Sequence, residues 1–215
     1  MRIIDPQTGR SYVEKRRKRY AEPGQPRELT FSCYRRFPFF SRPRACEWFR
    51  DSLEFARAQI RFQIWAYVLM PEHVHLLVYP GDKPQEMPKF LEHLKEGVAR
   101  AAIAFLRRNA PQWLERLRVR EGKRIRHRFW QPGGGYDRNI TSARTLRSMI
   151  DYLHENPVRR GLVAKAEDWE WSSARWFAGM RPAKIEMDKT VLTELARDGE
   201  LQTVMGRAVV GVIRT

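Results

Sequence analysis

His73 and His75 stand one residue apart, with Val74 between them. Their flanks, Ile64-Trp65-Ala66-Tyr67-Val68-Leu69-Met70 and Leu76-Leu77-Val78-Tyr79, are rich in the β-branched, aromatic and large apolar residues of a buried strand. Side chains alternate faces along a strand, so the two imidazoles share one face and Val74 takes the other. Two imidazoles side by side are half of a divalent-metal site with positions left open for oxygen ligands. A Mg²⁺ or Mn²⁺ ion there would polarise a phosphodiester. The same spacing also suits two partly buried histidines held by hydrogen bonds.

Phosphodiester chemistry then needs a nucleophile. The sequence has no Gly-x-Ser-x-Gly turn and no Gly-x-x-x-x-Gly-Lys phosphate loop. Cys33 and Cys46 lie elsewhere in the chain and in no metal-type spacing, so they read as free thiols of a reducing cytoplasm. Tyr136 is the candidate, because it follows Pro132-Gly133-Gly134-Gly135, a run that permits positive φ and close backbone approach. A tyrosine hydroxyl ordinarily titrates near 10, so ionising one at pH 7 costs about 4 kcal/mol. A nearby cation and arginines offset much of that. An ordinary loop tyrosine is the alternative.

Charge points to the partner. Lysine and arginine number 41 against 25 acids, for a net +16. Arginine pairs bidentately with phosphate, so nucleic acid is the natural polyanion. Hydrophobic residues at 42% and seven tryptophans imply a folded protein. No apolar run reaches 18 residues and no signal-peptide pattern opens the chain, so a cytoplasmic, nucleoid-associated location with no membrane partner is expected.

The elements that must position these groups follow from periodicity. Residues 1–26, with the run Lys15-Arg16-Arg17-Lys18-Arg19, read as a basic flexible arm. Strands are expected at 29–34, 61–70, 73–79 and 126–131, and helices at 43–60, 87–108 and from Thr141 or Ser142 to Asn156-Pro157. Residues 109–125 suggest a short helix and a loop, and 158–179 an irregular segment. This order predicts an α+β, ferredoxin-like split βαβ fold, an antiparallel sheet with helices on one face. The other face is then open to metal and nucleic acid. One domain is expected over residues 27–178, followed by a tail over 179–215.

Four motifs lie in series: Met70-Pro71-Glu72-His73-Val74-His75-Leu76-Leu77; Phe129-Trp130-Gln131 with Tyr136-Asp137; Tyr152-Leu153-His154-Glu155-Asn156-Pro157-Val158-Arg159-Arg160-Gly161-Leu162-Val163; and Trp169-Glu170-Trp171-Ser172-Ser173-Ala174. Together they resemble the REP-associated tyrosine transposases, single-tyrosine members of the HUH endonuclease superfamily. The resemblance implies a metal-assisted single-strand DNA endonuclease and strand transferase acting on hairpin-forming repeats, as a monomer or homodimer. It implies that His73 and His75 bind Mg²⁺ or Mn²⁺, that Tyr136 forms a 5′-phosphotyrosine link, and that Asn139 supplies a third ligand through its amide oxygen. Glu72 stands where the family usually has Asn, and the triple glycine lengthens the loop before Tyr136.

Arg35, Arg36, Arg126, Arg128, Arg138, Arg159 and Arg160 are candidate phosphate contacts, and Trp130 a candidate base-stacking ring. Tyr152 and Trp169, Trp171 and Trp176 read as packing residues, as does His154, although it could face the site. Two rival readings are a non-catalytic DNA- or RNA-binding module of the same fold and a His-x-His metal-dependent hydrolase. The second is weakened by Leu76-Leu77-Val78, which offers no further ligand.

Overall fold

The computed structural model describes residues 2–4, 11–13, 22–133 and 135–196. The charge run at 15–19 and the end of the tail lie outside these residues. β1 (Arg2–Ile4) and β2 (Ser11–Val13) form an antiparallel pair. The central elements are β3 (Arg27–Ser32), α1 (Pro43–Ile60), β4 (Gln63–Met70), β5 (His73–Tyr79) and α2 (Met87–Asn109). Next come α3 (Gln112–Leu117), the short strands β6 (Arg118–Glu121) and β7 (Arg124–His127), and β8 (Tyr136–Asn139). The chain continues through α4 (Ala143–His154), α5 (Asn156–Arg159), α6 (Ala174–Phe177) and α7 (Thr190–Ala196).

The central sheet runs β4-β5-β3-β8, with every neighbouring pair antiparallel. β5 is inserted between β3 and β4, which α1 connects; β3 is inserted between β5 and β8. That is the split βαβ arrangement the sequence predicts. Pro43 opens α1 at a position where a missing N–H costs nothing, and Arg61 closes it in the left-handed conformation at φ 61°. Ala45, Phe49, Leu53, Ala56 and Ile60 of α1 are buried with Met87, Phe90, Leu94, Val98 and Ala102 of α2. They share one core with Leu29, Phe31, Val74, Leu76 and Val78 of the sheet. Burying each large side chain contributes roughly 1.5–3 kcal/mol.

Several details differ from the expectation. The fourth strand of the central sheet is β8, after the glycine loop; residues 124–127 instead pair with 118–121 in a separate ribbon. Helices also flank the second face, because Leu153 of α4 is buried against Val68 and Met70 of β4, with Trp169 beside them. Finally, the core does not end at 178, since Ile185, Met187, Val191 and Leu195 are buried in it. Asp188 anchors this segment by accepting hydrogen bonds from the Ile64 N–H and from Arg57, both at 2.8 Å. Pro157 also begins a new helical turn, α5, instead of only ending α4.

Candidate active site

Cross-strand register builds the site. His75 pairs with Thr30 on β3 and Val68 on β4, and Thr30 in turn pairs with Tyr136 on β8. Residues directly opposite in antiparallel strands share a face, so Tyr136, Thr30, His75 and Val68 form one row on the face away from α1 and α2. His73 lies one row further, between Ser32 and Met70. The turn at Pro71 and Glu72 starts β5 at His73, so the dyad sits at the end of the hairpin.

The imidazoles converge. Nε2 of His73 and Nε2 of His75 are 3.0 Å apart. The outer nitrogens are both held: His73 Nδ1 lies 3.0 Å from Glu72 Oε1, and His75 Nδ1 lies 2.9 Å from Thr30 Oγ1. One ring's Nε2–H can donate to the other nitrogen; with both Nδ1 atoms protonated instead, two lone pairs converge on a point that a cation could occupy. Two ligands about 2.1 Å from an octahedral ion at right angles to each other lie about 3.0 Å apart, so the pair fits a hard cation of that geometry. Burial lowers the pKa of His73, against the pull of the Glu72 carboxylate. Burial, His73 and Arg159 lower His75 to about 3. Both shifts favour the neutral imidazole, the form that could offer a lone pair to a cation.

Glu72 is the hub behind the dyad. It is buried and accepts hydrogen bonds from Arg160 at 2.6 Å and Arg36 at 3.2 Å, besides meeting His73. Burial alone would raise its carboxyl, but Arg160 and the His73 contact bring it below the ordinary value. Arg35 and Arg36 both adopt positive φ, 52° and 53°, in the turn after β3. Such backbone is costly for residues with a Cβ and recurs at functional sites.

Tyr152 is the residue that sequence reasoning misses. Its ring meets His75 edge-on with centroids 6.2 Å apart, and it is 45% exposed. Leu153, the next residue, anchors α4 on β4 and so brings Tyr152 over β5. The Arg159 guanidinium lies 4.2 Å over the same ring and also donates to the Tyr152 carbonyl at 2.9 Å. The available signal is that Tyr152 lies off the apolar stripe Leu146, Met149, Ile150 and Leu153. Tyr136 shares the dyad's face, but Thr30 stands between it and His75, so their backbones are about 10 Å apart.

Asn139 is not brought to the dyad. It lies three residues from Tyr136, on the opposite face by strand alternation, and donates to Gln25 Oε1 at 2.9 Å. The expectation of a third ligand there is corrected, and among the described residues no group of three or more His, Cys, Asp or Glu side chains could hold a metal. Trp130 is also corrected: its indole donates to the Lys95 carbonyl at 2.9 Å and its ring packs on Phe31 and Phe129. His154 turns away from the site to Ser173 Oγ at 2.8 Å, and full burial lowers its pKa to about 3.

The candidate arginines divide. Arg36, Arg159 and Arg160 surround the dyad, with Arg35 next in the same turn. Arg138 is exposed on the dyad's face, across from Glu28. Arg126 lies on the β6–β7 ribbon and Arg128 at its base, where its N–H donates to the Leu117 carbonyl at 2.9 Å.

No protein-family model matches the chain. A Haemophilus influenzae protein, provisionally named a REP-associated tyrosine transposase, is 26% identical over 126 residues, 58% of this chain and 66% of that protein. The match thus spans just under two thirds of the relative. A solved REP-associated tyrosine transposase bound to a REP hairpin has a TM-score of 0.57 at 21% identity, covering 80% of this chain and 90% of that one. The chain shares the fold of that structure. A provisionally named transposase of Deinococcus radiodurans, at 24% identity over 67% of this chain and 97% of that one, superposes more loosely, with a TM-score of 0.39.

Proposed function

We propose that the chain is a REP-associated tyrosine transposase that cuts and rejoins single-stranded DNA beside a hairpin, with Tyr152 as its nucleophile. The observation that carries this reading is the half-exposed ring of Tyr152 against buried His75 in a basic protein. The tyrosine of the proposed site is therefore Tyr152, on α4, in place of Tyr136.

His73 and His75 would hold Mg²⁺ or Mn²⁺, which when bound neutralises charge on the scissile phosphate. Glu72 and Thr30 fix the two rings with Nε2 turned into the site. Arg159 lies over the attacking ring, where its guanidinium can meet an oxygen of the scissile phosphate. The phenolate oxygen forms a bond to phosphorus and the P–O3′ bond breaks. The tyrosine proton leaves to solvent, and the departing 3′ oxygen takes up a proton. The products are a 5′-phosphotyrosine and a free 3′-hydroxyl. Attack by a 3′-hydroxyl on the phosphotyrosine reverses the step and restores Tyr152, so no nucleotide cofactor is consumed.

The test is a denaturing gel of protein incubated with labelled hairpin DNA carrying an unpaired flank, with Mn²⁺. A covalent band lost in Tyr152→Phe and kept in Tyr136→Phe is expected. The reverse pattern returns the role to Tyr136. Cleavage that survives both changes indicates an activated water, and binding without any adduct by the unaltered chain indicates a non-catalytic module.

A further inference from the structure

β6 and β7 form a two-stranded ribbon of their own, outside the central sheet. Between residues 118 and 128 stand Arg118, Arg120, Lys123, Arg124, Arg126 and Arg128 against the single acid Glu121. Gly122 adopts φ 61° in the turn, and Arg118, Arg120, Lys123, Arg124 and Arg126 are exposed.

Register distributes the cations. Arg118 faces His127 and Arg120 faces Ile125, so these lie on one face. Val119 faces Arg126, and Arg124 lies two residues before Arg126 on the same strand, so these lie on the other. A ribbon that rested on a flat polyanion would need cations on one side only. Cations on both sides suit a slot with phosphates along both walls.

We infer that this ribbon inserts into the major groove of the duplex stem of a DNA hairpin. A ribbon with side chains on both faces is about 10 Å thick, and the B-form major groove is about 12 Å wide. The B-form minor groove, about 6 Å, is too narrow, and the A-form major groove of RNA is deep and closed to side chains. Four residues per strand span about 13 Å, or about four base-pair steps. Ile125, 54% exposed near the tip, is an apolar group of the kind that contacts a thymine methyl on the groove floor. The inference deepens the transposase reading, and rests on it for the choice of a hairpin.

The experiment compares the full chain with a triple variant, Arg120→Ala, Lys123→Ala and Arg124→Ala, by fluorescence anisotropy across a salt series. The probes are a DNA hairpin with an unpaired flank, the flank alone, and an RNA hairpin of the same sequence. For the DNA hairpin, tenfold or greater weakening at 150 mM salt is expected, with a log–log salt slope shallower by about 2.7. Binding of the flank alone, and any covalent adduct formed on it, should stay within twofold. An Arg120→Lys and Arg124→Lys variant should recover most of the hairpin affinity, which a misfolded ribbon would not do. Equal hairpin affinity in the triple variant overturns the inference, as does equal weakening on the flank or on the RNA hairpin. If the unaltered chain forms no adduct on any probe while the hairpin-specific loss persists, the nuclease reading falls and the ribbon assignment stands.

Discussion

The Tyr152 ring stands edge-on to the His75 ring, 6.2 Å between centroids, although 77 positions, 152 minus 75, separate them in sequence. The contact exists because α4 crosses β4 and so carries Tyr152 to the margin of the buried dyad on β5. A residue at the margin of that crossing is both fixed in position and open to a substrate. Tyr136, 37% exposed on the edge strand, is also open to a substrate, but Thr30 separates it from His75. Replacing Tyr152 by Phe should therefore abolish the DNA adduct while leaving Mn²⁺ affinity within a few-fold, measured by isothermal calorimetry. A large loss of metal affinity would mean that Tyr152 serves the dyad and not the phosphate.

Thr30 is the neighbour on which His75 depends for orientation. Thr30→Val keeps the shape and the strand preference and removes the Oγ1 that meets Nδ1 at 2.9 Å. Loss of such a supporting partner typically lowers metal affinity about 10–100-fold. Calorimetric titration with Mn²⁺ reads it, and unchanged affinity would exclude Thr30 from the site.

Gly135 lets the chain pass close to β3. It has φ 67°, and a Cβ there would collide with the Thr30 carbonyl oxygen. Gly135→Ala must therefore displace β8 or Thr30 itself. A loss of about 2 kcal/mol or more is expected in urea unfolding, from left-handed strain plus the displaced strand. A variant as stable as the parent would contradict the close approach.

Acid should destabilise the fold through His154. Its folded pKa of about 3 lies below the ordinary 6.5, so the unfolded chain binds the extra proton between these values. Stability from this group therefore rises with pH between about 3 and 6.5 and is flat above, by about 1.4 kcal/mol per pH unit on the slope. His154→Gln, which can still reach Ser173, should flatten the fall in Tm between pH 7 and 5. An unchanged slope would place the titration elsewhere. Glu72, with its lowered pKa, gives stability above its ordinary range that is lost only at still lower pH.

The shared face of His73 and His75 was legible because a period of two is a property of strand backbone alone. α1 and α2 were legible for the parallel reason, a 3.6-residue stripe. The ribbon is not legible because alternating cations and apolar residues at 124–130 suit an edge strand and a free hairpin equally. Asn139 shows the limit of spacing: three residues on a helix return to nearly the same side, but on a strand they change face. Tyr152 is legible only as a residue off the apolar stripe, because no local pattern states which strand α4 crosses. Leu153 decides it, through a contact with Val68 and Met70 that only the folded chain makes.

Residues 171–173 lie along the outer margin of β4, where Leu69 N–H donates to the Trp171 carbonyl and Ser173 N–H to the Tyr67 carbonyl, both at 2.9 Å. The peptide groups there are already satisfied, so that side of the sheet offers no template to a strand from another molecule. The exposed margin is β8, four residues long, which carries Arg138 and is held to β3 by the buried Arg27–Asp137 pair. The molecule is thus guarded against sheet-to-sheet polymerisation on one flank by its own chain and on the other by brevity and charge.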